Sequence, residues 1–392
     1  MKKKIPELDG LRAIAIILVI NAHFHFYIKA IPFFNPITTS GWFGVQLFFL
    51  LSSFLLSLPY IQAAIDNREK QQVWQFYRRR ILRICPLYYF SILVFVASIY
   101  LTNSTEDKPT LTGIIAHVFF LNNFPIELDK INSVYWSLAV EWHFYLIMPL
   151  IGLCLYNFLS NKQYQKLTIF LFCLLLIPII VRTYGGVILG IRMAPGNYMS
   201  FVYFSSLSNL DAFIFGIAGA IIYAHLGQIN KNIPPYFWKV IFCVSVATIY
   251  YLMYYYHTSS MAGLTHTNLF NPIFFHTTIN LAWLGLLLSS LVLKTGVWKY
   301  WRRFLNSRTM EYIAVLSYSL YIWHLPINNL VAQVLGQFNV SPSYVFNLAR
   351  LFLATAITLI ISHITYHYLE LPILKLKNRK FVPELKKVGG RR

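Results

Sequence analysis

Long apolar runs, interrupted by few charges, recur along the whole 392-residue chain. The runs are continuously apolar rather than alternating, and each is long enough to cross a bilayer as a helix. Helices pair their own backbone polar groups, as the hydrocarbon core requires. The pattern therefore predicts an all-α polytopic membrane protein with about ten transmembrane helices. The expected spans are 11–28, 41–61, 86–102, 136–158, 167–182, 205–224, 237–256, 274–293, 312–332 and 345–369.

Composition supports this class, since 57% of the residues are hydrophobic and only 12% are charged. We expect residues 1–372 to form one transmembrane domain and 373–392 a basic cytoplasmic tail. The stretch 111–124 is too short and too polar for a comfortable span, and we interpret it as a re-entrant or interfacial segment. The first span lacks a convincing cleavage site for a signal peptide, so we expect it to be retained.

The basic residues indicate the orientation of the chain. With ten spans and both termini in the cytoplasm, 27 of the 33 lysines and arginines fall on the inner side. This asymmetry is what the positive-inside rule predicts. The net charge of +20 is therefore mainly a topology signal, which also attracts anionic membrane lipid. Charges spread over membrane loops do not favour nucleic-acid binding.

The first span contains unusual polar groups, in the sequence "LDGLRAIAIILVINAHFHF". At ~1.5 Å per residue, His23 lies about 16 Å along the helix from Arg12, near the middle of the membrane. His23 is either a proton-accepting base that faces a cavity or an interhelical hydrogen-bonding residue. His25 points about 200° away from His23, which disfavours a metal site formed by this pair.

Four arginines cluster in "FYRRRILRICP", at the inner end of the third span. Arg80 and Arg83 are three residues apart and share a helix face. Guanidinium groups match pairs of phosphate oxygens, so the cluster is a candidate site for a phosphate ligand. An anchor for lipid headgroups is the competing interpretation for these residues: Arg78, Arg79, Arg80 and Arg83.

Glu141 lies inside the span that contains "VYWSLAVEWHFYLIMPL". A carboxylate at this depth needs a partner, which is a histidine, a polar substrate or a structural cation. The neighbouring aromatic residues form either an interfacial belt or a wall for stacking a sugar. These residues are Trp136, Trp142, Phe144 and Tyr145.

Further polar residues lie in the later spans. Asp211 occurs in "NLDAFIFG" and His324 in "SYSLYIWHLP". His363 and His367 have a spacing that can bind metal, but without matched ligands we predict no metal site. The four cysteines are scattered in apolar surroundings, with no metal spacing and no obvious disulfide pair.

Taken together, these motifs resemble the acyltransferase-3 family of bacterial integral membrane proteins. The family's opening motif, an arginine followed by a histidine, is matched by Arg12 and His23, and its Arg-x-x-Arg motif by Arg80 and Arg83. The resemblance covers essentially the whole chain. The other matching stretches, in the family's order, are "GWFGVQLFFLLSSFLL", "WSLAVEWHFY", "LDAFIFG", "SYSLYIWH" and "YLELP".

Three positions depart from the family pattern. Gln46 stands where an acidic residue is usual, Ser53 where glycine is usual, and Asn209 where arginine is common. These departures bear on substrate recognition, because the arginine and histidine motifs are retained. No SGNH hydrolase-like domain follows the last span, so the chain resembles the stand-alone form of the family.

The resemblance implies an O-acyltransferase of the bacterial inner membrane. Its donor would be acyl-CoA, with acetyl-CoA expected, used as a co-substrate without any bound cofactor. Its acceptor would be a hydroxyl of a surface polysaccharide or lipid-linked glycan. His23 would act as general base or form a transient acyl-imidazole, and Glu141 would orient His23 or the sugar.

The remaining candidates divide between the two substrates. Arg12, Arg80, Arg83 and Arg79 are expected to bind the acyl-CoA. Residues expected to contact the acceptor or support the site are Asp9, Gln46, Ser52, Trp136, Asp211 and His324.

A transporter or flippase for a polar or glycolipid substrate is the alternative function. Buried arginine, histidine and acidic residues could line a transport pathway. Against this interpretation, the sequence has no internal repeat and no matched pair of broken spans. A structural or sensory membrane scaffold is the third possibility.

Overall fold

The structure of the protein is a computed structural model. It describes residues 5–24, 35–101, 108–123, 131–185, 203–229, 233–266, 270–337 and 344–376. Within these ranges every regular element is a helix and none is a strand, which confirms the all-α prediction.

Fourteen α-helices follow one another through the described residues. The first seven are α1 (Pro6–His23), α2 (Asn35–Thr39), α3 (Phe43–Ile65), α4 (Val73–Leu101), α5 (Leu111–Val118), α6 (Tyr135–Ser160) and α7 (Tyr164–Thr183). The other seven are α8 (Leu210–Ile229), α9 (Pro235–His266), α10 (Phe270–Val292), α11 (Trp298–Leu305), α12 (Arg308–Gly336), α13 (Tyr344–Thr365) and α14 (Leu371–Lys375). A π-helical turn, Tyr366–Glu370, joins α13 to α14.

Each of the ten predicted spans coincides with one of these helices. Seven helices of the described chain are long and apolar enough to cross a membrane, which makes this a multi-pass membrane protein. The three predicted spans outside that set are the helices α1, α8 and α12. Each of the three contains a charged residue or a histidine from the candidate set: Arg12 and His23 in α1, Asp211 in α8 and His324 in α12. The stretch of α8 with described side chains, Leu210–Leu226, is also short for a span. The count of ten and the orientation of the termini stay predictions.

Several boundaries differ from those expected. Helix α4 begins at Val73, thirteen residues before the predicted start at 86, so the arginine cluster lies on its first turns and Pro86 lies inside the helix. The stretch from 111 forms only the short helix α5, which agrees with its being too short to span. Residues 377–392 of the predicted tail lie outside the described residues.

Helix α1 lies inside the bundle, between α3 and α12. A Cβ atom at Gly44 of α3 would collide with the Ala15 carbonyl oxygen, so the two helices are in close backbone contact. On the other side, Ala13 packs with Met310 at the start of α12, and His23 meets His324 farther along it. Residue numbers increase in the same direction along the two helices at these contacts, so α1 and α12 run parallel.

Candidate active site

A cavity of about 90 Å³ opens between α1, α3, α4, α6 and α12. Its apolar wall comes largely from α3, where Phe48 and Phe49 face the interior. Five residues that the sequence analysis selected from four different helices lie together on its polar wall. They are Arg12, Ser52, Arg80, Arg83 and Glu141.

Two of the cavity's arginines have hydrogen-bonding capacity to spare. Within the described residues, Arg12 donates no hydrogen bond to the protein, although Glu141 and Asp9 lie within electrostatic range. The Nε atom of Arg80 is buried without a hydrogen-bond partner, while its guanidinium lies 5.7 Å from the centre of the Tyr145 ring. A buried donor without a partner is costly, so these groups suit an anionic ligand.

Arg83, the third arginine, is held by an ion pair. Its Nη1 atom lies 3.1 Å from Oε2 of Glu370, which the π-helical turn directs inward and which is only 2% exposed. Ser319 donates a hydrogen bond to the other carboxylate oxygen. The guanidinium also lies 5.7 Å from the Tyr318 ring. Sequence reasoning noted the "YLELP" motif but did not select Glu370.

Glu141 accepts two hydrogen bonds on the same carboxylate oxygen, Oε1. Ser52 Oγ donates at 2.5 Å, and the Tyr145 hydroxyl donates from one turn farther along α6. Oε1 is thus the acceptor of two hydroxyl hydrogen bonds, one from α3 and one from α6. Sequence reasoning placed Tyr145 in an aromatic belt or wall and missed this contact. Its position four residues after Glu141 is the signal that could have found it.

His23 lies at the end of α1, away from the residues that line the cavity. Its Nδ1 atom is 2.9 Å from the Val19 carbonyl oxygen and 3.2 Å from Nε2 of His324. The hydrogen bonds of Glu141 go instead to Ser52 and Tyr145. Among the described contacts, the two residues predicted as catalytic are therefore not joined directly.

One face of α12 connects the cavity to the histidine pair. Ser317, Tyr321 and His324 follow at intervals of four and three residues, so they lie on the same face. Ser317 and Tyr321 line the cavity, and the Tyr321 ring lies 5.7 Å from that of His324. Tyr321 separates the two parts of the site, and sequence reasoning did not select it.

Asp211 lies in a separate buried cluster, outside the cavity lining. Both its oxygens accept hydrogen bonds at 2.9 Å from Arg182, whose side chain is fully buried. Thr277 and Asn280 of α10 donate to the same carboxylate. Arg182 lies in the last turn of α7 and forms half of an ion pair that holds α7, α8 and α10 together.

Two of the family departures meet each other in the structure. Gln46 Nε2 donates to Asn209 Oδ1 at 2.7 Å, and His276 Nδ1 lies 3.3 Å from the same nitrogen. Where the family pattern has an acidic residue and an arginine, this chain has a neutral amide pair. The third departure, Ser53, lies against Gly216 of α8. All three lie in the contacts of α3 with its neighbours.

The remaining predicted site residues are dispersed around the cavity. Trp136 is buried against Tyr203 at 4.8 Å between ring centres, so it belongs to the aromatic core rather than to an exposed belt. Asp9 lies in the first turn of α1, below Arg12. Arg79 lines a separate and larger polar groove, whose lining residues differ from those of the cavity, and donates to Gln75 at 3.0 Å. His25 lies outside the described residues.

No group of three or more histidine, cysteine or acidic residues able to hold a metal occurs in the described part of the chain. Three guanidinium groups and one carboxylate give its polar wall an excess of positive charge. Such a wall is suited to phosphate oxygens or to a developing negative charge.

The model of a family described as "Acyltransferase domain", the acyltransferase-3 family, matches residues 5–367 of the chain. The chain is 26% identical over 387 residues to the peptidoglycan O-acetyltransferase OatA of Listeria monocytogenes, covering 95% of this chain and 56% of that protein. It is 24% identical over 397 residues to the putative peptidoglycan O-acetyltransferase YrhL of Bacillus subtilis, covering 96% of this chain and 56% of the relative. The O-acetyltransferase OatA of Staphylococcus aureus is 27% identical over 401 residues, covering 97% of this chain and 59% of the relative.

The chain thus spans little more than half the length of these curated relatives. No solved structure matches it.

Proposed function

The chain belongs to the acyltransferase-3 family, a family of O-acyltransferases, and we propose that it moves an acetyl group from acetyl-CoA to a carbohydrate hydroxyl. The donor enters from the cytoplasmic side of the bacterial inner membrane. The acceptor is a glycan of the cell surface or its lipid-linked precursor. Peptidoglycan is the first acceptor to test, because two of the similar proteins are named for it.

The arginine cavity is the observation that supports this proposal most strongly. Three guanidinium groups from α1 and α4 converge there, and two of them keep donors available. The phosphates of CoA are the part of an acyl-CoA that such groups recognise. A separate polar groove lined by Arg79 offers further room for the nucleotide, and a third pocket is lined by both Arg79 and Arg80.

The contact between α1 and α12 indicates the direction in which the thioester of the bound donor would extend. Arg12 and His23 lie about 16 Å apart along α1, a distance that the long, thin pantetheine arm can cover. With the phosphates held at the arginines, the acyl group extends past Tyr321 towards His23 and His324. This arrangement assigns donor binding to the cavity and group transfer to the histidine pair.

Transfer follows from the basicity of a neutral imidazole. His23 takes the proton of the acceptor hydroxyl while that oxygen bonds to the thioester carbonyl carbon. The carbon–sulfur bond then breaks, and the departing CoA thiolate takes the proton from His23. Glu141, held by Ser52 and Tyr145, contributes to the placing of the substrate at the cavity.

The decisive experiment uses inside-out membrane vesicles and acetyl-labelled acetyl-CoA. Wild-type protein should transfer label to peptidoglycan precursors or another glycan and release free CoA. The variant His23→Ala should insert normally and transfer no label. His225→Ala is the matched control, because among the described residues the His225 side chain bonds only the Ile221 carbonyl of its own helix, α8; it should retain transfer.

Two results would contradict the proposal. Normal transfer by His23→Ala would remove His23 from the mechanism. Movement of glycan or ions that ignores acetyl-CoA, without any labelled product, would favour the transporter alternative.

A further inference from the structure

The histidine pair at the junction of α1 and α12 fixes more than the position of His23. We infer that His324 and the Val19 carbonyl hold His23 with its proton on Nδ1, so that Nε2 is the nitrogen that reacts. His324 is thereby a positioning residue for the proposed transfer. This inference rests on the proposed function for its kinetic consequence, but not for the position of the proton.

The proton of His324 can be assigned first. Its Nδ1 atom lies 2.7 Å from the Tyr321 carbonyl oxygen and 3.2 Å from that of Leu320. A carbonyl oxygen only accepts hydrogen bonds, so Nδ1 must carry the hydrogen. In the neutral ring Nε2 then has the lone pair, and it faces His23 as an acceptor.

The proton of His23 follows from two acceptors around one atom. Nδ1 of His23 is 2.9 Å from the Val19 carbonyl oxygen and 3.2 Å from Nε2 of His324. A lone pair on this nitrogen would face two other lone pairs, whereas an N–H bond satisfies both contacts as a shared hydrogen bond. The proton-accepting lone pair of neutral His23 therefore lies on Nε2.

The surroundings also fix the plane of the ring. The two imidazoles meet edge to face, with centres 4.8 Å apart and planes at 70°. Asn328 donates a hydrogen bond to the backbone oxygen of His23 at 3.3 Å, which holds the end of α1 against α12. His324 is completely buried, so it has little freedom to reorient. The contacts of the His23 Nδ1 atom support the Nδ1–H tautomer, and the edge-to-face packing restrains the plane of the ring.

His324 should contribute more during transfer than before it. When His23 accepts a proton on Nε2, its ring becomes positively charged, and the Nδ1–H bond to His324 becomes charge-assisted. An interaction that strengthens as charge develops lowers the barrier rather than tightening substrate binding. Removal of the acceptor should therefore reduce kcat and leave the KM for acetyl-CoA nearly unchanged.

The tautomer is measured directly by nitrogen NMR of the full-length protein in lipid nanodiscs, with ¹⁵N-labelled histidine. Subtracting the spectrum of His23→Asn identifies the His23 signals, because the asparagine amide keeps the Nδ1 contacts and the fold. We expect a protonated Nδ1 and an unprotonated Nε2 for His23. A proton on Nε2 would overturn the inference, whether or not the protein transfers acetyl groups.

The kinetic arm compares His324→Leu with His324→Gln. Leucine removes the acceptor, and kcat should fall about tenfold or more, as expected for the loss of one charge-assisted hydrogen bond. Glutamine places an amide oxygen near the position of Nε2 and should recover part of the rate. Equal rates for wild type and His324→Leu would show that His324 has no positioning role.

The two arms separate this inference from the proposed function. The expected tautomer in a protein without acetyl transfer would leave the assignment intact and defeat the proposed function. Acetyl transfer with the opposite tautomer would do the reverse.

Discussion

Two buried sites built on arginine differ in what their charges contact. The Arg182 guanidinium donates hydrogen bonds to Asp211, Thr277 and backbone oxygens, and the side chain is fully buried. In the cavity, Arg12 and Arg80 line open space instead, and neither donates a hydrogen bond within the described part of the protein. Arg80 and Arg182 each have an Nε atom without a hydrogen-bond partner among the described residues, so the two sites differ in their terminal nitrogens. Those of Arg182 are satisfied by the protein, whereas those in the cavity are available to a ligand.

The difference teaches how to separate a structural ion pair from a binding site in a membrane bundle. Both types of site place charges where hydrocarbon would otherwise lie, and such charges are expensive. Expense alone therefore does not identify function. The informative property is whether the donors and acceptors of the charged group are already used within the protein.

The largest effect should come from breaking the ion pair between Arg182 and Asp211. Arg182→Met leaves the Asp211 carboxylate buried without its cation, and should lower the free energy of unfolding by about 3–5 kcal/mol. Thermal unfolding of the detergent-solubilised protein measures this loss. The double variant Arg182→Met, Asp211→Leu removes both charges and should recover much of the stability. A single variant that melts like wild type would contradict the comparison.

A smaller effect, on ligand binding rather than on folding, is expected in the cavity. Arg80→Gln removes a charged donor that has few protein contacts, so the KM for acetyl-CoA should rise about tenfold or more with unfolding unchanged. Steady-state kinetics in vesicles provide the measurement. Arg303→Gln, on the exposed face of α11, is the control. An unchanged KM for Arg80→Gln would restore the lipid-anchor interpretation of the cluster.

A test of Arg83 needs a different design, because removal of its guanidinium leaves the buried Glu370 carboxylate without its paired cation. Arg83→Gln alone should destabilise the protein as well as weaken donor binding, since it leaves a buried carboxylate unpaired. Combining it with Glu370→Gln should restore stability but not donor affinity. Recovery of both properties would mean that Arg83 only neutralises Glu370.

The smallest effect is expected at Tyr145. Tyr145→Phe removes one of the two hydrogen bonds to Glu141 and leaves that of Ser52, so activity should fall by the few-fold equivalent of about 1 kcal/mol. Tyr60→Phe is a matched control, because the buried Tyr60 hydroxyl has no hydrogen-bond partner among the residues that the structure describes. Equal losses in both variants would remove Tyr145 from the site.

The positions of the helices could be predicted from the sequence because burial in lipid demands long apolar runs. Each of the ten predicted spans corresponds to a helix. The start of α4 was predicted too late, because its first turns are basic rather than apolar. The family motifs indicated Arg12, Arg80, Arg83 and Glu141, and these do line one cavity. Their catalytic and binding roles stay predictions.

Contacts between helices could not be predicted in the same way. Hydropathy gives no information on how each helix is rotated about its axis, so Glu370 beside Arg83 and Asp211 beside Arg182 were not foreseen. Asp211 was consequently grouped with the residues expected to contact the acceptor or support the site. Spacing within one helix is more informative, since Glu141 and Tyr145 are four residues apart on α6.

The parallel pairing of α1 with α12 sets the order in which the protein can mature. His23 and His324 are 301 residues apart in the chain, so one is synthesised near the beginning and the other near the end. During co-translational insertion, α1 enters the bilayer before α12 is synthesised. The contact between His23 and His324 can therefore form only after α12 has inserted. Truncated or prematurely released chains therefore lack the histidine pair, however well their first helices are inserted.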